Sequence, residues 1–186
     1  VTPRGEVLFK GEPIAGLESH KIARMGLGYV PESRDIFPSM TVRQNLVLGV
    51  KDMRNPGKYT IDEMLDMFPN LRARADNPAG VLSGGEKQML TMCRTLMGDP
   101  ELIIIDEPTE GLAPKIVQQI GDMIAEIAKT GVAILLVEHK MDVVRALADR
   151  IIVLHNGELI ADGDPTEVMS SQVVRDVYLG NAGEMA

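Results

Sequence analysis

The chain has 186 residues, 45% hydrophobic and 25% charged, the make-up of one ordinary globular domain with room for a sizeable core. Its formal charge of −8 is uneven: residues 1–60 carry nine Lys/Arg against six Asp/Glu, and the remainder ten against twenty-one. With no dense Lys/Arg stripe, only three Phe and three Tyr, and no Trp, the sequence excludes both a duplex-binding surface and a single-strand stacking platform.

Val7-Leu8-Phe9 followed by Lys10-Gly11 predicts a small antiparallel hairpin, and Gly28-Tyr29-Val30 a short strand stopped by Pro31. From Thr41 to about Gly98 the pattern is mainly helical. Thr41 with Gln44, Thr60 with Glu63 and Ser83 with Glu86 have the spacing of capping boxes, in which side chains satisfy the orphan N–H groups of a first turn. The third of these helices runs to about Met97, with Gly98 as its stop, and carries Cys93, a lone cysteine that excludes an internal disulfide and suits a reducing compartment. Met64, Met67, Met89 and Met92 read mostly as gap fillers of a small helical core.

Leu102 to Ile105, Val132 to Val137 and Ile151 to Leu154 are continuous apolar, β-branched-rich runs that fit strands buried on both faces. The second is the longest purely apolar run and is far too short to span a bilayer, so any link to a membrane comes through a partner. Between the first two, a helix from Pro114 to Lys129 sets Ile116, Ile120, Ile124 and Ile127 on one face, with Gly131 just past its end. Asn156-Gly157 predicts a tight hairpin between Ile151–His155 and Glu158–Ala161, and a short helical tail runs from Pro165 to Leu179. Alternating strands and helices give an α/β core with a helical insertion.

Two motifs carry chemistry. Asp106-Glu107 ends the run Leu102–Ile105, at the carboxyl edge where open α/β sheets bind ligands. Adjacent strand residues point opposite ways, but a chain leaving its strand is free to turn, so both carboxylates can face one site. One can hold Mg²⁺ through its water shell while the other orients an attacking water. The second motif, Leu82-Ser83-Gly84-Gly85-Glu86, opens a helix with two glycines, each costing about 1 kcal/mol against Ala. A capping box needs no ligand, but that cost favours bare backbone N–H groups offered to phosphate.

In this order and separated by one helix, the two motifs resemble those of the ABC-transporter ATPases. Leu82 to Glu86 is similar to the LSGGQ signature, with Glu86 in the final position, and Leu102 to Glu107 to the Walker B strand with its catalytic glutamate. His139, after Ile134 to Glu138, falls at the switch histidine, and Gly28 to Glu32 leads into the Q-loop. The resemblance implies a P-loop NTPase (RecA-like) parallel-sheet core at residues 1–32 and 99–163, a helical signature subdomain at 33–98 and a C-terminal helical tail at 164–186. It implies ATP and Mg²⁺ as ligands, with Glu107 polarising the water, His139 reaching the γ-phosphate, and Asp106 and Glu32 meeting the metal. Ser83, Gly84, Gly85 and Glu86 would contact nucleotide held by a second subunit in a head-to-tail dimer, and Glu32 would touch the nucleotide of its own subunit.

The sequence departs from the family pattern in three places. Glu32 stands for the usual Gln, and Ala113 for the final carboxylate of the D-loop. No G-x-x-x-x-G-K-S/T occurs, because Gly57-Lys58 is followed by Tyr59. The chain is therefore expected to be the C-terminal part of a longer cassette, inactive alone. Ile36-Phe37-Pro38, Thr41-Val42 with Asn45-Leu46, Asp106 to Pro114, and the ending Val177-Tyr178-Leu179-Gly180 resemble the ATPases of branched-chain amino-acid and urea/amide importers. Lipopolysaccharide-export ATPases share several of these turns, and a non-catalytic fragment that only pairs with a partner chain is the other alternative. The implied partners are transmembrane permease subunits and, through them, a substrate-binding protein, at the cytoplasmic face of the membrane; Arg34 and Asp35 are the expected docking residues.

Overall fold

The computed structural model describes residues 5–54 and 57–178, in two compact units divided between Val137 and Glu138. Leu179 and Gly180, on which part of the expected tail falls, lie outside the described residues.

The first unit opens with the hairpin of β1 (Leu8–Phe9) and β2 (Glu12–Pro13), turned at Lys10 and Gly11, whose φ angles of 55° and 82° suit a two-residue connection. Helix α1 (Ser19–Arg24) leads to β3 (Leu27–Val30). The helical insertion follows as α2 (Val42–Val47), α3 (Ile61–Met67), α4 (Pro69–Arg72), a 3₁₀ turn (Ala79–Val81) and α5 (Gly84–Leu96). The chain then re-enters the sheet through β4 (Leu102–Asp106), α6 (Pro114–Lys129) and β5 (Ala133–Val137).

All three expected capping boxes are formed. Thr41, Thr60 and Ser83 each accept the N–H three residues on, and Gln44, Glu63 and Glu86 each reach back to the cap's own N–H at 2.8 Å. Asn45, wholly buried, uses its amide fully: Oδ1 accepts from Phe37 N–H at 2.9 Å, and Nδ2 donates to the carbonyls of Phe37 and Thr41 at 3.0 and 2.9 Å. The segment between β3 and α2 is thereby clipped to its helix. Met64, Met89 and Met92 are buried with Leu46, Leu65, Leu71, Leu90 and the free thiol of Cys93, whereas Met67 stands partly outside.

In the sheet, β4 lies between β3 and β5 and is parallel to both, with Ile104 opposite Tyr29 and Leu135, and Asp106 opposite Val137. One face is sealed: Val30, Ile103 and Ile105 have no exposed surface. Helix α5 packs there, so closely that a Cβ on Gly28 would lie 2.7 Å from Thr95 Cγ2. The other face departs from the expectation of strands buried on both sides: Tyr29, Leu135 and Val137 are 52%, 48% and 45% exposed. The strands alternate in burial because only one of their faces is covered among the described residues, and a run such as Leu-Ile-Ile-Ile gives no sign of which.

The second unit holds α7 (Met141–Leu147), the antiparallel ribbon of β6 (Ile151–His155) and β7 (Glu158–Gly163), then α8 (Pro165–Ser170) and α9 (Gln172–Tyr178). Asn156 and Gly157 turn the ribbon at φ 50° and 83°. Ile151 and Val153 pack with Val168 and Val174, while Ile152, Leu154 and Leu159 face outward, so this ribbon too is covered on one face only.

Two glycines separate steric demand from helix propensity. A Cβ on Gly49 would stand 2.0 Å from the Arg94 carbonyl oxygen, but on Gly121, inside α6, it meets nothing within 4 Å. Gly49→Ala should destabilise the fold by about 1–3 kcal/mol, and Gly121→Ala should stabilise it by about 0.5–1 kcal/mol, both read by urea unfolding. Equal effects of the two substitutions would remove the packing account.

Candidate active site

Strand β4 ends on Asp106, half-buried, and the chain turns at once. Glu107 has φ +41°, a left-handed conformation that costs a residue with a Cβ roughly 1–2 kcal/mol. Its N–H still completes the ladder by donating to the Val137 carbonyl at 2.8 Å, and its carbonyl accepts from Glu110 N–H at 3.2 Å. The expected turn after the strand is thus made by one strained residue, and such residues concentrate at functional sites. Carboxylate oxygens of Glu107 and Glu110 come within 4.8 Å of each other.

Asp106 is held from the neighbouring strand. The Tyr29 hydroxyl donates to Asp106 Oδ2 at 3.1 Å, whereas Oδ1 takes no hydrogen bond among the described residues. Desolvation, this hydrogen bond and the charges of Asp106 and Glu32 together push the phenol above its ordinary pKa, so it remains a neutral donor. A hard divalent cation fits this donor set: a carboxylate with one oxygen fixed and the other open, at the carboxyl edge of a parallel sheet. Glu32, exposed just after β3, adds a second carboxylate to the surroundings of Tyr29.

At the start of α5, Ser83 Oγ donates to Glu86 Oε2 at 2.7 Å, and Glu86 Oε1 pairs with Arg74 Nε at 2.8 Å. Glu86 is thus committed to the cap and to a cation. Each glycine also has a packing reason beside any ligand. A Cβ on Gly85 would lie 2.4 Å from Ile116 Cγ2 of α6, and one on Gly84 would lie 3.0 Å from Arg34 Nη1.

Arg34, at φ 53°, is half-buried, and its Nη2 donates to the Glu110 carbonyl. It ties the segment after β3 to the turn after β4 and lies beside the start of α5. It is therefore turned inward, not spread on an exposed docking surface as its position beside the Q-loop implied; Asp35 next to it is exposed, and its carbonyl accepts from Arg94. The first unit brings Asp106 and Glu107 to one strand end, with Tyr29 against the first, and connects that end through Arg34 to the neighbourhood of Gly84. His139 belongs to the second unit, where its side chain is 51% exposed and its N–H donates to the Glu138 carboxylate at 3.0 Å. Tyr29 and Arg34 are the residues that sequence reasoning passed over as side chains of the site. Their contacts span 77 and 76 positions, and no local spacing announces them.

Burial pushes the Glu86 carboxyl up, but the hydrogen bonds from Ser83 and the charge of Arg74 outweigh it and hold the group below its ordinary value. A depressed carboxylate contributes stability above the unfolded pKa of about 4.3 and loses it as pH falls through the folded value. Glu86→Gln keeps an acceptor for Ser83 N–H but cannot titrate. Urea unfolding should show the wild type more stable than this variant at neutral pH, with the gap closing in acid; a gap unchanged by pH would reject the charged pairing.

Comparison with known proteins gives this geometry its frame. Residues 1–110 match the family model described as ABC transporter. The high-affinity branched-chain amino acid transport ATP-binding protein BraG of Pseudomonas aeruginosa is 39% identical over 177 residues, which cover 95% of this chain and 76% of that protein. The lipopolysaccharide export system ATP-binding protein LptB of Haemophilus influenzae is 33% identical over 181 residues, covering 95% and 75%. Among solved structures, the ADP conformation of MJ1267, an ATP-binding cassette of an ABC transporter, has a TM-score of 0.78 at 26% identity, over 95% of this chain and 77% of that one. The parallel sheet agrees with these matches, and the chain belongs to the ABC-transporter family, with the fold of its ATP-binding cassettes.

Proposed function

We propose that the complete protein is the ATP-hydrolysing, energy-coupling subunit of an importer for branched-chain amino acids or for urea and amides. The observation that carries the hydrolytic part is the left-handed turn at Glu107, which re-aims a second carboxylate directly after Asp106. In this reading Glu107 accepts a hydrogen bond from the attacking water and takes its proton as the water oxygen bonds to the γ-phosphorus and the bond to the bridging β-phosphate oxygen breaks, leaving ADP and phosphate. Asp106 and Glu32 would hold Mg²⁺. Mg²⁺ bound there would neutralise charge on the transferring phosphoryl group. His139 reaches the γ-phosphate, and Ser83, Gly84 and Gly85 offer the α5 N-terminus to nucleotide held by a second subunit. Loss of the γ-phosphate then releases the head-to-tail pair, and permease subunits convert that opening into transport at the cytoplasmic face of the membrane.

The substrate class is supported by the branched-chain amino acid transport relative at 39% identity. The export relative, at 33% over the same share of the chain, supports the second reading, a lipopolysaccharide-export ATPase. Proteoliposomes containing the complete protein and its permease subunits separate them. Stimulation of ATP turnover by a leucine-loaded binding protein is expected, and stimulation by lipopolysaccharide instead would select export. In the same vesicles Glu107→Gln should leave ATP binding intact and lower turnover by about 10²–10⁴-fold, the worth of a positioned general base; undiminished turnover would reject Glu107 in that role.

Residues 1–186 carry no G-x-x-x-x-G-K-S/T loop to cradle the phosphates. This chain alone should therefore show no micromolar affinity for ATP by titration calorimetry and no hydrolysis. A micromolar dissociation constant would overturn that expectation.

A further inference from the structure

We propose that Tyr29 is a positioning residue for Asp106, its hydroxyl fixing one carboxylate oxygen so that the other is presented to the water shell of a divalent cation. The inference rests on the reading of Asp106 as the metal-supporting carboxylate. Three observations carry it. Tyr29 sits opposite Ile104 in the β3–β4 ladder, and Asp106 lies two residues further along β4 on the same face, so the phenol reaches diagonally across one strand to the carboxylate. The bond to Asp106 Oδ2, at 3.1 Å, is the one its hydroxyl makes among the described residues. The residue is 52% exposed, so burial of the ring does not account for its placement over the site.

The chemistry of the donor is as informative as its geometry. A carboxylate at the end of a strand turns freely about its last bond, and a single donor on one oxygen selects one orientation. Lysine or arginine in this place would also orient Asp106, but would cancel the charge a cation needs. A phenol hydroxyl orients through one hydrogen bond and brings no positive charge of its own. Hydrogen bonds to a metal-supporting carboxylate of this kind change metal affinity by about tenfold or more when removed.

The test uses the complete protein with a non-hydrolysable ATP analogue and Mn²⁺ as the probe, its binding followed by electron paramagnetic resonance. Tyr29→Phe keeps the ring and should weaken Mn²⁺ binding about tenfold, while nucleotide affinity in the presence of EDTA, which reports an intact fold, stays at the wild-type value. Asp106→Asn should weaken Mn²⁺ binding further, and adding Tyr29→Phe to it should change nothing more, because the two residues act as one unit. Wild-type Mn²⁺ affinity in Tyr29→Phe, or additive losses in the double variant, would overturn the positioning role alone. Undiminished Mn²⁺ binding in Asp106→Asn would instead overturn the metal reading of Asp106, and this proposal with it.

Discussion

Helix α5 is set closer to its surroundings than side chains would permit. Gly85 meets Ile116 of α6, Gly28 of β3 meets Thr95, and Gly49, just past α2, meets the Arg94 carbonyl. All three contacts depend on a missing Cβ, and they distribute along the helix from its first turn to its last. A packed interior transmits such constraints because it has no slack to absorb them. The position of the Ser83 cap is therefore dictated by the sheet and by α6 together, and the same sheet carries Asp106 at the end of its middle strand. Arg34 closes the frame by joining the segment after β3 to the Glu110 carbonyl.

The guanidinium of Arg34 is spent on a backbone carbonyl, and the donor on Asp106 is a phenol. Both groups orient the site without discharging a carboxylate. The strain at Glu107 belongs to the same economy of means: a ladder bond to Val137 holds its N–H while the turn to Glu110 holds its carbonyl, so two ordinary hydrogen bonds maintain a conformation that the residue disfavours. A single-residue turn is the shortest way to present two successive carboxylates from the end of one strand.

Much of this was legible from spacing. The capping boxes at Thr41, Thr60 and Ser83 depend on contacts three residues apart, and the turns at Lys10-Gly11 and Asn156-Gly157 on two residues each, so the sequence displays them directly. The carboxylates of Asp106-Glu107 announced themselves by following an apolar run. What distance in the chain conceals is different in kind. The uncovered face of the parallel sheet could not be read because Leu102 to Ile105 are apolar on both sides of the strand. The partners of Tyr29 and Arg34 lie on the far side of the helical insertion, and Ile116, which explains Gly85, lies beyond β4. The resemblance to a family supplied roles for residues such as Glu32 and His139, but it gave no hint that Glu86 is engaged by Arg74.

Cys93 lies in the middle of α5 with no exposed surface, and burial pushes its thiol far above the ordinary range. As the sole cysteine, it is silent toward alkylating reagents while the helix is seated and reactive once the helix lifts. The protein thus contains its own chronometer: the pace of covalent capture at a single sulfur counts the excursions of the very helix that Ser83 caps.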